Sequence, residues 1–120
     1  METQQVTREA KAQINTAALE ALIESHIPVA ILDARAGTSS DDGERIAGGK
    51  GMHPQAGPQK AASLIPSKNA LVVTYCGGLK CPLSSQLAEH LNSMGYANVL
   101  VYPEGISGWR SAGNTVEKTG

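Results

Sequence analysis

Two cysteines, Cys76 and Cys81, enclose the tetrapeptide Gly77-Gly78-Leu79-Lys80, and the sequence on either side indicates what the pair can do. The apolar run Leu71-Val72-Val73-Thr74-Tyr75 leads into Cys76, while Leu83, Leu87, Ala88, Leu91 and Met94 recur at helical spacing beyond Pro82. A thiol is therefore expected at the C-terminal end of a strand, facing the N-terminus of a helix. Two glycines let the backbone fold tightly there, so that amide N–H groups converge on whatever the sulfur carries. The same positive helix end favours thiolate over thiol, and thiolate is the nucleophilic form of cysteine. This is the arrangement of a cysteine-based group-transfer site, with Cys76 as nucleophile and residues 77–81 as its loop. Lys80 is the only cation within that loop: it either lowers the thiol's pKa and orients an anionic donor, or is simply solvated. Cys81 has two readings as well. It is a second thiol able to take over the transferred group or close a disulfide, which needs Cα atoms within about 7 Å, or a small residue packed beneath the loop.

The elements that must hold these residues alternate between helix and strand. Ile14 and residues 17–23 keep helical spacing, with Asn15 and Thr16 available as caps and Pro28 as a stop. Val29-Ala30-Ile31-Leu32, ending at Asp33, is a short apolar run of the kind buried on both faces by helices, and the pattern returns at 71–74 and 98–101. Gln59 to Ile65 reads as a short helix ended by Pro66, and Ser84 to Met94 as a longer one ended by Gly95. Gly37 to Pro58, rich in Gly, Ser, Asp and Pro, shows no sustained period and is read as one long connection. Alternation of this kind predicts an open α/β domain whose site lies at the carboxyl ends of the strands, where Asp33 and Cys76 both fall.

A chain of 120 residues is one domain, large enough to fold on a single core without disulfides or metal. With a net charge of −1 and no long run of either sign, it has no footprint for nucleic acid or anionic lipid. No segment approaches membrane-spanning length, and residues 1–13 are polar, without the apolar centre of a secretory signal. The expectation is a cytoplasmic protein, in which two close cysteines are reactive rather than stapling. The expected organisation is a polar extension over 1–13, a domain over 14–116 and a tail over 117–120.

Several of these stretches resemble the rhodanese family. Asp33-Ala34-Arg35 after a buried strand is similar to the family's Asp-x-Arg, and Leu71 to Cys76 to the strand that delivers its catalytic cysteine. Leu87 to Leu91 leading to Gly95-Tyr96-Ala97-Asn98-Val99 resembles the helix and strand that come after it. Glu104-Gly105-Ile106-Ser107-Gly108-Trp109, with Ala112-Gly113, is similar to the closing Gly-Gly-Ile-x-x-Trp. The resemblance implies a single rhodanese-like domain, an open parallel sheet flanked by helices on both faces, and a persulfide carried on Cys76. The chain departs from the pattern in three places. Its cysteine loop is longer before the helix-opening Ser84, residues 48–56 replace the usual Gly-His-Ile-Pro-Gly-Ala, and Glu104 stands where the closing motif begins with Gly.

The chemistry implied is that of a sulfurtransferase. A small-molecule donor such as thiosulfate or a polysulfide would load Cys76, and a thiol or cyanide, or alternatively a protein acceptor, would unload it in a ping-pong cycle. No cofactor is required. Three scattered histidines and two close cysteines do not make a four-ligand zinc set, so no metal is expected. Two rival functions stand beside this one. A cysteine phosphatase or arsenate reductase uses a similar anion cradle, but the phosphatase pattern has an Arg where this chain has Pro82. The other rival is a non-enzymatic sulfur carrier or redox-sensing module with Cys81 as resolving thiol. Asp33 and Arg35 are expected to support the site as an ion pair under the loop, bracing the fold rather than reacting. Trp109 is expected in the core, and His26, His53 and His90 at the surface.

Overall fold

The computed structural model describes residues 12–118; of the expected polar extension and tail, residues 1–11 and 119–120 lie outside them. In chain order the elements are α1 (Thr16–Glu24), β1 (Ala30–Asp33), β2 (Glu44–Ile46), β3 (Lys50–Gly51), α2 (Pro58–Leu64), β4 (Leu71–Tyr75), α3 (Leu83–Ser93), β5 (Asn98–Tyr102), α4 (Gly105–Ser111) and β6 (Val116–Lys118). Asn15 caps α1 as its spacing predicts, its Oδ1 accepting the Ala18 N–H at 2.8 Å. Ile14 precedes that cap instead of joining the helix, and its N–H donates to the Val101 carbonyl at 2.9 Å. Pro58 opens α2, where a missing N–H costs nothing.

The three expected apolar runs form β1, β4 and β5 of a sheet ordered β3-β1-β4-β5, every pairing of which is parallel. Side-chain alternation divides the core. On one face Leu32, Val72, Val99 and Val101 pack against Leu87, Ala88 and Leu91 of α3 and Ala61 of α2. On the other, Ile31, Val73, Tyr75 and Tyr102 meet Leu19 of α1 and Ile106 and Trp109 of α4. Helices thus cover both faces, which is why the strands are apolar throughout rather than alternating. Trp109 is buried edge-on to Tyr102, and its indole N–H donates to the Thr115 carbonyl at 2.9 Å.

The stretch from Gly37 to Pro58 is not one connection. It contains β3, which adds a parallel strand to β1, and β2, which pairs antiparallel with β6. Neither was readable as a period, because strands of two and three residues are too short for alternation to show. The β2–β6 pairing extends to Lys118, opposite Glu44.

Candidate active site

Cys76 is the first residue after β4 and is 1% exposed, on the α2–α3 side of the sheet. Below it Thr74 Oγ1 donates to the Ser84 carbonyl at 2.9 Å, fixing the start of α3 against the strand that carries the cysteine. That helix begins at Leu83, one residue before the expected Ser84, with Pro82 as its cap. Residues 77–80 then turn back on themselves, and the Cys81 N–H closes the turn on the Gly78 carbonyl at 3.2 Å. This brings the two cysteines together: their Cα atoms lie 6.4 Å apart and their sulfurs are joined as a disulfide. Cys76 Sγ also sits 3.4 Å from the Cys81 carbonyl oxygen. Cys81, half-buried, is the more accessible of the pair.

The loop carbonyls and amides have different fates. The first N–H groups of α4 hold the carbonyls, Ile106 donating to Cys76 at 2.9 Å and Ser107 to Gly77 at 3.0 Å. The amides of Gly77, Gly78, Leu79 and Lys80 have no acceptor among the described residues. They border an open cleft of about 630 Å³, walled by residues 77–81 and, opposite, by Glu104, Ser107 and Gly108. Close approach of α4 to the loop depends on Gly105, which has φ +64°; a Cβ there would meet Gly77 C and Gly78 N at 2.8 Å. The left-handed conformation thus falls on the second residue of the closing motif, while Glu104 before it has φ −69° and needs no glycine. Of the charges at the cleft, Lys80 is exposed and Glu104 accepts a hydrogen bond from Thr16 Oγ1 at 3.3 Å. Leu79, 75% exposed, forms part of the rim.

Asp33 and Arg35 do form a pair, with Arg35 Nη2 to Asp33 Oδ2 at 2.8 Å, but not beneath the cysteine loop. Asp33 is in register with Tyr75, so it shares the face of Tyr75, and Cys76, one residue on, takes the other. The pair braces the 38–46 segment. Arg35 Nη2 donates to the Glu44 carbonyl at 2.6 Å, and Arg45, which the sequence did not single out, reaches Asp33 at 3.2 Å and Asp41 at 2.8 Å. Arg110 of α4 continues the network to Asp42 at 2.9 Å and to Glu44. Tyr75 completes it, its hydroxyl oxygen accepting the Ile46 N–H at 3.0 Å while burial pushes the phenol's pKa up.

Within this network the hydrogen bond from Arg45 holds the Asp41 carboxyl at about 2, below its ordinary 3.8. A folded-state value below the unfolded one stabilises the fold fully above the unfolded pKa and ceases to do so as pH falls through the folded one. Asp41→Asn is therefore expected to cost on the order of 1 kcal/mol at neutral pH and to flatten the acid-side loss of stability between 3.8 and about 2. Asp42, lowered by the Glu44 N–H and by Arg110, keeps part of that slope. Denaturant titrations across this window measure the effect; an unaltered slope in the variant would remove Asp41 from the account.

The histidines lie apart from the cleft. His90 is half-buried, its Nε2 within 2.7 Å of the Ala56 carbonyl, so it ties α3 to the turn before α2 rather than facing solvent. His53 is half-buried too, and its Nδ1 accepts the Gln55 N–H at 3.0 Å. His26 is exposed at the end of α1 with φ 58°. Among the described residues no group of three or more His, Cys, Asp or Glu side chains is placed to hold a metal ion. No helix among them is long and apolar enough to cross a membrane.

Comparison with known proteins adds two findings. The family model described as Rhodanese-like domain matches residues 15–112. Among solved structures, a Bacillus halodurans protein superposes with a TM-score of 0.80 at 19% identity, over 98% of this chain and 85% of its own. A Pseudomonas aeruginosa thiosulfate sulfurtransferase does so with 0.74 at 21% identity, over 95% of this chain and 21% of its own. An Escherichia coli rhodanese with anions gives 0.59 at 23% identity, over 76% of this chain and 99% of its own. No curated protein matches in sequence.

Proposed function

The chain belongs to the rhodanese-like domain family, and from that premise we propose that it is a sulfurtransferase working through a persulfide on Cys76. The observation that carries this reading is the run of four amides, Gly77 to Lys80, left without acceptors between a buried cysteine and the helix that follows it. In the reduced protein those amides and the positive end of α3 favour the Cys76 thiolate. The thiolate attacks the sulfane sulfur of a donor such as thiosulfate; the donor's S–S bond breaks, and sulfite departs with the electron pair. The outer sulfur left on Cys76 is anionic, and amides fixed in advance stabilise it without reorganising. Cyanide or a thiol then takes that sulfur and restores the thiolate, completing a ping-pong cycle. Lys80 and Glu104 both line the cleft. A reducing compartment such as the cytoplasm keeps the pair of thiols available.

The family also includes phosphatases, but their chemistry is less well served here. Stabilising a transferred phosphoryl group calls for a guanidinium clamp. Arg35, Arg45 and Arg110 are all committed to Asp33, Asp41, Asp42 and Glu44.

Intact-protein mass analysis after incubation with thiosulfate or polysulfide tests the reading. The fully reduced Cys81→Ser chain is expected to gain sulfur on Cys76 that cyanide removes, and the reduced native chain to leave an aryl phosphate unhydrolysed. A Cys81→Ser chain whose thiol is reduced yet stays unmodified with both donors is not a sulfurtransferase. Aryl phosphate turnover would favour the phosphatase reading.

A further inference from the structure

Cys81 lies close enough to Cys76 for their sulfurs to bond. We propose that Cys81 unloads the persulfide from within the loop: it attacks Cys76 Sγ, expels the outer sulfur as hydrosulfide, and leaves the Cys76–Cys81 disulfide. The inference rests on the persulfide reading of Cys76.

The step balances without an outside reagent. Cys76–S–S⁻ and Cys81–SH become Cys76–S–S–Cys81 and HS⁻. The bond between the inner and outer sulfurs breaks, and its electron pair leaves on the outer sulfur, which takes the Cys81 proton. A new bond forms between the two Sγ atoms. The sulfane sulfur is reduced to sulfide while the two cysteine sulfurs are oxidised to a disulfide.

Three features of the loop favour attack on the inner sulfur. The 6.4 Å Cα separation lies within the range that a disulfide spans, so no backbone movement is needed to make the product. The turn closed by the Cys81 N–H on Gly78 returns Cys81 to Cys76, and the Cys81 carbonyl oxygen stands 3.4 Å from the Cys76 sulfur. The leaving group also agrees, because exchange is faster when the departing sulfur belongs to the stronger acid, and hydrogen sulfide is a stronger acid than a cysteine thiol. The product has a marked asymmetry of access: Cys76 is 1% exposed, whereas Cys81 lines the open cleft. An external thiolate therefore reaches Cys81, and Cys76 leaves as the thiolate its amides favour. Turnover then requires a dithiol reductant that supplies two electrons and two protons, so the reaction class that must come next is thiol–disulfide exchange.

The test is a single turnover of the reduced full-length chain, without oxygen, using limiting glutathione persulfide as donor. Hydrosulfide is trapped with a bimane, and the protein is mapped by peptide mass. The native chain is expected to release hydrosulfide in step with formation of the Cys76–Cys81 disulfide, and to turn over again only when dithiothreitol is added. In Cys81→Ser the sulfur is expected to remain on Cys76, with hydrosulfide release at least about tenfold slower. Native-rate release from that variant, sulfur carried on Cys81, or a native chain that keeps its persulfide without forming the disulfide would each overturn the inference while leaving the sulfurtransferase reading in place. Failure of Cys76 to load in either protein would overturn both.

Discussion

Cys76→Ser is expected to reduce sulfur transfer from thiosulfate to cyanide by about a thousandfold or more, because a hydroxyl cannot replace the attacking sulfur and Cys81, the other thiol, is assigned to release rather than loading. Serine occupies nearly the same volume, and its hydroxyl can donate to the Cys81 carbonyl that lies 3.4 Å from the native sulfur, so the fold is expected to survive. Relative to the reduced native protein, unfolding should therefore shift by less than about 1.5 kcal/mol, which separates loss of chemistry from loss of structure. The measurement is thiocyanate production alongside thermal unfolding of the same samples. A variant that transfers sulfur through Cys81 at the native rate would show that the accessible cysteine, not the buried one, is the nucleophile.

Asp33→Asn is expected to give the largest change in stability. Asp33 is fully buried and is the carboxylate that both Arg35 and Arg45 contact, these being 2% and 6% exposed. Neutralising it leaves two buried guanidiniums facing an amide, and removing one partner from a buried ionic cluster costs about 3–5 kcal/mol. For a domain of this size that lowers Tm by at least about 10 °C. Arg110→Ala offers the contrast. Its ion pairs to Asp42 and Glu44 involve a guanidinium 40% exposed, and pairs of that kind contribute less than about 1 kcal/mol. Thermal unfolding of the two variants distinguishes the sites: equal shifts would mean that burial of Asp33 does not set its importance. Because Asp33 lies on the sheet face away from Cys76, the proposed sulfur loading on Cys76 should survive in the folded fraction of Asp33→Asn at low temperature.

The parts of this fold that could be read from the sequence are those whose signal is local. The apolar runs of β1, β4 and β5, the Asn15 cap and the leucines of α3 each declare themselves within a few residues, and so does the cysteine between a strand and a helix. The parts that could not be read depend on partners far along the chain. β2 exists because β6 pairs with it, and nothing in Glu44-Arg45-Ile46 announces a strand whose partner begins at Val116. Arg45 joins Asp33 only because that pairing folds it inward, so its Gly- and Asp-rich surroundings gave no sign of a buried guanidinium. The placement of Asp33 and Arg35 beneath the cysteine loop missed for another reason. Both Asp33 and Cys76 end apolar runs, but the face each takes depends on inter-strand register, which aligns Asp33 with Tyr75 instead of Cys76. The turn that joins Cys81 to Cys76 was legible as a possibility from the two glycines, and the choice between bridging and packing lay in the backbone path.

The amides of Ile106 and Ser107 that hold the carbonyls of Cys76 and Gly77 set an order of assembly. A growing polypeptide emerges from the ribosome N-terminus first, so Cys76 is outside before the helix that shapes its loop has emerged. The same holds for β6, whose partner β2 was synthesised far earlier. Long sequence separation makes these contacts slow to close, since chain entropy is lost before the contact rewards it. The centre of the sheet and α3 can consolidate while Cys76 still lacks its finished surroundings. The walls around Cys76 are thus the last part of this domain to close as it is born.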